Sequence, residues 1–137
     1  MVERFVAILS DGYYADANMI RQSLQQGIPS NLIHLATMVK IDLYSDGSMP
    51  FSVEALNRAR VEKLPGSTVP IRFASPEDVL LAKLQWYRDG GERSERQWND
   101  ILGIIRVQAD SLDSTYLDRW LDLMQTRDLY VRANAAL

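Results

Sequence analysis

Asp42, His34, Lys83 and Asp100 are the side chains of this 137-residue chain whose type and setting suit chemistry. A carboxylate on a strand is a ligand for a divalent cation, although metal-assisted transfer needs a cluster of carboxylates and one alone does not make a site. The single histidine is a potential ligand or proton carrier. A lysine amine held at a cleft neutralises phosphate or pairs with a carboxylate. An aspartate on an apolar helix face needs a cationic partner to be tolerated there.

Each residue also has a plainer reading. In Val39-Lys40-Ile41-Asp42-Leu43-Tyr44, strand alternation sends Val39, Ile41 and Leu43 to one face and Lys40, Asp42 and Tyr44 to the other. A half-buried strand with a polar outer face accounts for Asp42 without chemistry. If the preceding loop is the two residues Thr37-Met38, His34 opposes Ile41 and lies on the face away from Asp42. A three-residue loop instead brings His34 across from Asp42, because a one-residue slip exchanges faces. Thr-Met makes a poor two-residue turn, so both registers stand. A packed or surface imidazole is the plainer alternative to a ligand.

Lys83 falls inside the apolar arc of Val79, Leu80, Leu84, Trp86 and Tyr87 on a helical wheel. It either lays its stem on apolar surface with the amine in water, or holds that amine at a cleft. Asp100 repeats the anomaly on the next helix. Trp98, Ile101, Leu102 and Ile105 form one apolar face there, Ile104 and Val107 a second, and Asp100 lies on the second. A helix apolar on two sides is expected to be sandwiched, with Arg96 or Lys83 partnering the acid. Trp86, Trp98 and Trp120 sit at helical apolar spacing and read as packing residues. Asp113 reads as a cap, and Asp118 and Asp122 as a solvated face.

The elements that must position these groups are punctuated in the sequence. A helix end over Val2–Leu9 closes at Ser10-Asp11-Gly12, and Tyr13-Tyr14 reads as a short strand. Asp16 caps a predicted helix over Ala17–Gln26 that Gly27 and Pro29 stop. Leu32–Ala36 and Val39–Tyr44 read as a hairpin, followed by a Ser45-Asp46-Gly47-Ser48 turn. A short helix over Ser52–Arg58 precedes two short strands, Arg60–Leu64 and Val69–Phe73, parted by Pro65-Gly66. Ser75-Pro76-Glu77-Asp78 combines a Ser cap, Pro in the first turn and acids at the positive end of the helix dipole. That helix runs to Gly90-Gly91. Ser94 with Gln97 opens another, to about Gln108. Asp113 caps a third carrying Leu117, Trp120, Leu121 and Met124, and Leu129–Ala135 forms the last.

The expected class is therefore α+β: a small mixed, mainly antiparallel sheet with helices, extended by a C-terminal helical bundle. The length suits a single domain over 1–137, with a sheet-containing part at 1–74 and a helical part at 75–137. The net charge of −3 argues against a domain that wraps a long nucleic acid. There is no cysteine, hence neither a disulfide frame nor a Cys-ligated zinc site. No apolar run approaches a membrane span and the N-terminus lacks a signal-peptide pattern, so a cytoplasmic location is expected.

Three stretches, LIHLATMVKIDLY, RFASPEDVLLAKLQWYRDGGERSERQWNDILGIIRVQ and LDSTYLDRWLDLM, together resemble the bacterial minimal-nucleotidyltransferase superfamily. The branch they are most similar to is the uncharacterised one related to the abortive-infection toxin nucleotidyltransferases. The resemblance runs from about Phe5 onward. It makes Asp42 the third metal-binding acid of such an enzyme, and Lys83 and Asp100 the lysine and aspartate of the toxins' two helical motifs. It implies attack on the α-phosphate of a Mg2+-bound NTP. The superfamily also carries a Gly-Ser or Gly-Gly element and an acid-x-acid strand before the third acid. Neither precedes Asp42, since Asp11 and Asp16 are separated by turn residues. The expectation is a shortened, mis-started, degenerate or split nucleotidyltransferase whose transfer activity is lost or incomplete. The alternative is a non-catalytic interaction module, either a homodimer or a toxin–antitoxin-like partner in which a second protein covers an open sheet edge.

Overall fold

The computed structural model describes residues 1–44 and 49–137; the expected turn at Ser45-Asp46-Gly47-Ser48 lies outside the described residues. The described residues form seven α-helices and two small antiparallel sheets, an α+β arrangement. The strands make two sheets where one was expected from the sequence, because the later hairpin pairs only with itself among the described residues. Contacts group the chain into two compact units, Met1–Ser52 and Val53–Leu137.

The first unit opens with α1 (Val2–Leu9), a 3-10 turn at Ser10–Gly12 and the two-residue β1 (Tyr13–Tyr14). Asp16 then starts α2 (Ala17–Gln26): its Oδ1 accepts the N–H groups of Asn18 and Met19 at 2.8 and 2.9 Å. These are two of the donors that a helix start leaves unpaired. Gly27, at φ 66°, ends the helix in the left-handed region that glycine enters without strain. β2 (Ser30–His34) and β3 (Val39–Leu43) complete a three-stranded sheet in the order β1-β2-β3. Ile20 of α2 and Leu32 of β2 are the buried apolar side chains of this unit among the described residues, which is a thin core.

The hairpin corrects both predicted registers. Its loop is Leu35–Met38, four residues, and His34 pairs with Val39. Met38 takes a positive φ of 56° and donates its N–H to the His34 carbonyl at 2.8 Å, closing a wider turn. Ala36 therefore belongs to the loop and β2 begins earlier, at Ser30. Four differs from two by an even number, so His34 still lies on the face away from Asp42, as the shorter loop requires. Asn31 faces Asp42 across the strands instead.

The second unit takes most of α3 (Pro50–Arg58), the hairpin β4 (Arg60–Lys63) and β5 (Pro70–Phe73), and four further helices. These are α4 (Pro76–Asp89), α5 (Glu95–Gln108), α6 (Ser114–Leu123) and α7 (Arg127–Ala135). Ser75 Oγ accepts the Asp78 N–H at 3.2 Å to cap α4, Ser94 Oγ accepts the Gln97 N–H at 3.3 Å to cap α5, and Asp113 Oδ1 accepts the Tyr116 N–H at 3.0 Å to cap α6. Leu80, Leu81 and Leu84 of α4 meet a core built from Ile101 and Ile105 of α5, Leu117, Trp120 and Leu121 of α6, and Leu129 and Ala133 of α7. Each fully buried aliphatic chain contributes about 1.5–3 kcal/mol, so this unit holds most of the hydrophobic stabilisation. Among the described residues no helix is long and apolar enough to cross a membrane.

Candidate functional site

The second unit brings Lys83 and Asp100 together. Lys83 lies two turns into α4 and Asp100 in the second turn of α5, and the packing of these helices sets Nζ 2.8 Å from Oδ2. Between the two partners proposed from the sequence, Lys83 is the one bonded. The hydrogen bond from Lys83, then its charge, with a further contribution from Arg96, hold the Asp100 carboxyl below its ordinary pKa. The Lys83 side chain is 23% exposed and that of Asp100 is 44% exposed. The lysine thus runs its stem through an apolar contact surface and delivers its amine to an acid at the margin of solvent.

The pair opens on a groove of about 690 Å³ between the two helices. Pro76 and Val79 of α4 line one wall; Gly103, Ile104 and Val107 of α5 line the other, with Asn99 and Gln108 at the ends. Positions 100, 103, 104 and 107 recur at i, i+3, i+4 and i+7, which puts them on one helix face. The expected sandwich is corrected here. Ile101 and Ile105 are buried, whereas Val107 is 77% exposed, so α5 closes one apolar face and leaves the other open. The role of Gly103 was not legible in isolation. Its lack of a side chain adds to the space along that wall, where a Cβ would meet nothing within 4 Å.

Asp42 lies in the first unit on β3, and the half-buried strand expected from the alternation is corrected: Val39 and Ile41 are exposed as well as Lys40 and Asp42. Asp42 Oδ1 is 3.3 Å from Lys40 Nζ, an exposed pair two residues apart on the same strand. Among the described residues no group of three or more His, Asp or Glu side chains is placed to hold a metal ion. The neighbour across the strand is the amide Asn31, and the neighbouring charge is a cation. This donor set does not fit a divalent ion, which needs several carboxylates converging on one point. His34 is occupied elsewhere: Nδ1 lies 2.7 Å from Thr37 Oγ1 and the ring tilts against Tyr13 at 4.9 Å.

A second charged cluster lies at the N-terminus of α4, where the sequence led us to expect only acids facing the helix dipole. Glu77 and Asp78 are 6% and 3% exposed. Tyr116 Oη donates to Asp78 Oδ1 at 2.6 Å, Ser75 Oγ to Oδ2 at 2.8 Å, and the Asp113 N–H to Glu77 Oε1 at 3.0 Å. Arg58 stands 3.4 Å from Glu77 and 3.6 Å from Asp78 and lies over the Tyr116 ring at 3.7 Å. Burial works to raise the Glu77 pKa, but the hydrogen bonds from Asp113 and Ser75 and the charge of Arg58 outweigh it and hold the carboxyl below its ordinary value. Burial, then the bond to Asp78, push the Tyr116 phenol well above its ordinary value. The signal was present: Glu77, Leu80, Leu81 and Leu84 share the spacing of one buried stripe.

The remaining residues singled out from the sequence pack as follows. Trp120 is buried; Trp98 lies against Tyr87 with ring centres 5.2 Å apart, and Arg132 of α7 covers it at 4.5 Å. Trp86 is 44% exposed and belongs less to the core than its spacing suggested. Asp118 and Asp122 both pair with Arg127 at the surface.

Comparison of the chain with family models, with curated proteins and with solved structures found no match in any of the three.

Proposed function

We propose that this chain is a nucleotidyltransferase-like protein that binds a nucleoside triphosphate in the α4–α5 groove and does not by itself complete nucleotidyl transfer. The observation that carries this reading is the pairing of Lys83 with Asp100 at 2.8 Å inside that groove. Both residues are out of place on the apolar faces of their helices, and both are the positions to which the resemblance gives a role. A volume of about 690 Å³ suits a nucleotide-sized ligand, since small-molecule sites span about 300–1,000 Å³.

In this reading Val79, Ile104 and Val107 offer apolar surface to the base, and Lys83 offers its charge to the phosphates. Asp100 orients the amine and gives it up to the phosphate on binding. The family chemistry would require Mg2+, and the setting of Asp42 beside Lys40 and Asn31 does not fit that ion. No transfer step is therefore assigned to these residues.

Thermal unfolding of the chain with each NTP, in Mg2+ and in EDTA, tests the reading, alongside incorporation of labelled nucleotide. The expected result is a rise in the unfolding midpoint with at least one NTP, without label transfer. Lys83→Met should abolish the rise by removing the charge, and Gly103→Leu should abolish it by filling the groove. If no NTP moves the midpoint, or if both variants respond like the parent, nucleotide binding in this groove is wrong.

A further inference from the structure

We propose that the free edge of β3 docks a second copy of this chain, the two β3 strands pairing antiparallel about a two-fold axis at Ile41. This inference is independent of the nucleotide reading and concerns the first unit alone.

Among the described residues no strand pairs with the outer edge of β3, and the groups along it are aimed outward. β3 ends the order β1-β2-β3, and Val39, Lys40, Ile41 and Asp42 are all exposed. Leu35 donates its N–H to the Gly12 carbonyl, and Tyr14 pairs with Ile33. Backbone groups alternate in direction along an antiparallel strand. Those of Ile33 and Leu35 therefore face β1, and those of Leu32 and His34 face β3. Their partners Ile41 and Val39 are committed to β2. The N–H and C=O groups of Lys40 and Asp42 point to the open side, the template that edge strands present to another chain.

The side chains along this edge are self-complementary. Val39-Lys40-Ile41-Asp42-Leu43 reads apolar, plus, apolar, minus, apolar. A two-fold axis at Ile41 sets Lys40 opposite the partner subunit's Asp42 and Asp42 opposite the partner subunit's Lys40. The same operation sets Val39 opposite the partner subunit's Leu43. These are the residues whose backbone groups are free, so hydrogen bonds and opposite charges form in the same register. An axis at Lys40 or at Asp42 would oppose like charges, which disfavours both neighbouring registers. The single-chain pair of Lys40 and Asp42 is exposed at 59% and 47%, so little is lost in exchanging it for two pairs between chains. On the other face Val39 and Ile41, 55% and 39% exposed, are the apolar surface that the partner strand would cover. A symmetric contact of this kind closes on itself and stops at two copies.

Sedimentation velocity over a concentration series tests the proposal with charge exchanges on this solvent-facing side of the strand. The parent chain should show a concentration-dependent dimer. Lys40→Asp and Asp42→Lys should each weaken that dimer by about tenfold or more, because each opposes like charges across the axis. Mixing the two variants should restore a dimer, as should the double exchange Lys40→Asp with Asp42→Lys. Circular dichroism confirms that each variant keeps its fold; if a single exchange unfolds the chain, the double exchange against the parent carries the test. A parent that stays monomeric at all concentrations overturns the proposal. So does a dimer that both single exchanges leave intact, or single-variant losses that neither mixing nor the double exchange repairs.

Discussion

Helix α4 carries two charged clusters less than two turns apart, and they are opposites. At its N-terminus Glu77 and Asp78 are buried, and Arg58, Tyr116, Ser75 and the Asp113 N–H surround them. Further along, Lys83 meets a single acid, Asp100, at the edge of an open groove. The first cluster surrounds its two acids with partners from α3, from α6 and from the caps of α4 and α6, so those carboxylates are not available to a ligand. The second has one hydrogen bond and solvent access, so its charge can be redirected. Counting the partners of a charge and the water around it distinguishes a fastening from a candidate site better than the presence of the charge does.

The comparison is broken most severely by removing an acid from the fastening. Asp78→Ala leaves Arg58, Tyr116 and Ser75 without the carboxylate they share, and should lower the unfolding free energy by about 3–5 kcal/mol in denaturant titration. A loss under about 1 kcal/mol would mean that this cluster is as dispensable as a surface pair.

Acidification is the next largest expected effect. The unfolded Glu77 carboxyl takes up a proton near its ordinary value of 4.5, whereas the folded one, held lower, does so only in stronger acid. In that window the unfolded chain binds more protons, so stability falls as pH falls. The contribution is whole above the ordinary value and is lost through the lowered folded one. Glu77→Gln should flatten this acid limb of stability against pH; an unchanged limb would remove Glu77 as its source.

Lys83→Met should have the smallest effect on the fold, moving the unfolding midpoint by less than about 3 °C, because a partly exposed pair stabilises little. A much larger fall would make the Lys83–Asp100 pair a second fastening, and the contrast between the clusters would disappear.

The helical half was legible in the sequence because its signals are local. The Ser75, Ser94 and Asp113 caps act within three residues of themselves, and the structure shows each bonded as its position implies. The Asp16 cap and the Gly27 stop are equally local. The β2–β3 hairpin was less legible. The backbone at Met38 decided between a short loop and a four-residue one, and Thr-Met has no strong turn signature. For the candidate site, Lys83 and Asp100 were visible as violations of apolar periodicity. Gly103 was not, since a glycine on a helix acquires meaning only from the space beside it.

By itself the sequence determined the caps that start α2, α4, α5 and α6, that Lys83 and Asp100 are out of place on their helices, and that Asp42 shares a strand face with Lys40. Those properties depend on residues within a turn or on a fixed strand period, so no fold is needed to see them. The starts of α3 and α7 fall two residues before the Ser52 and Leu129 expected. Only the tertiary structure decided that Lys83 reaches Asp100, that the second apolar face of α5 stays open, and that Glu77 and Asp78 are buried with Arg58 and Tyr116. These outcomes join residues 17 to 38 positions apart in the chain. They follow from how whole helices pack, which no local pattern encodes.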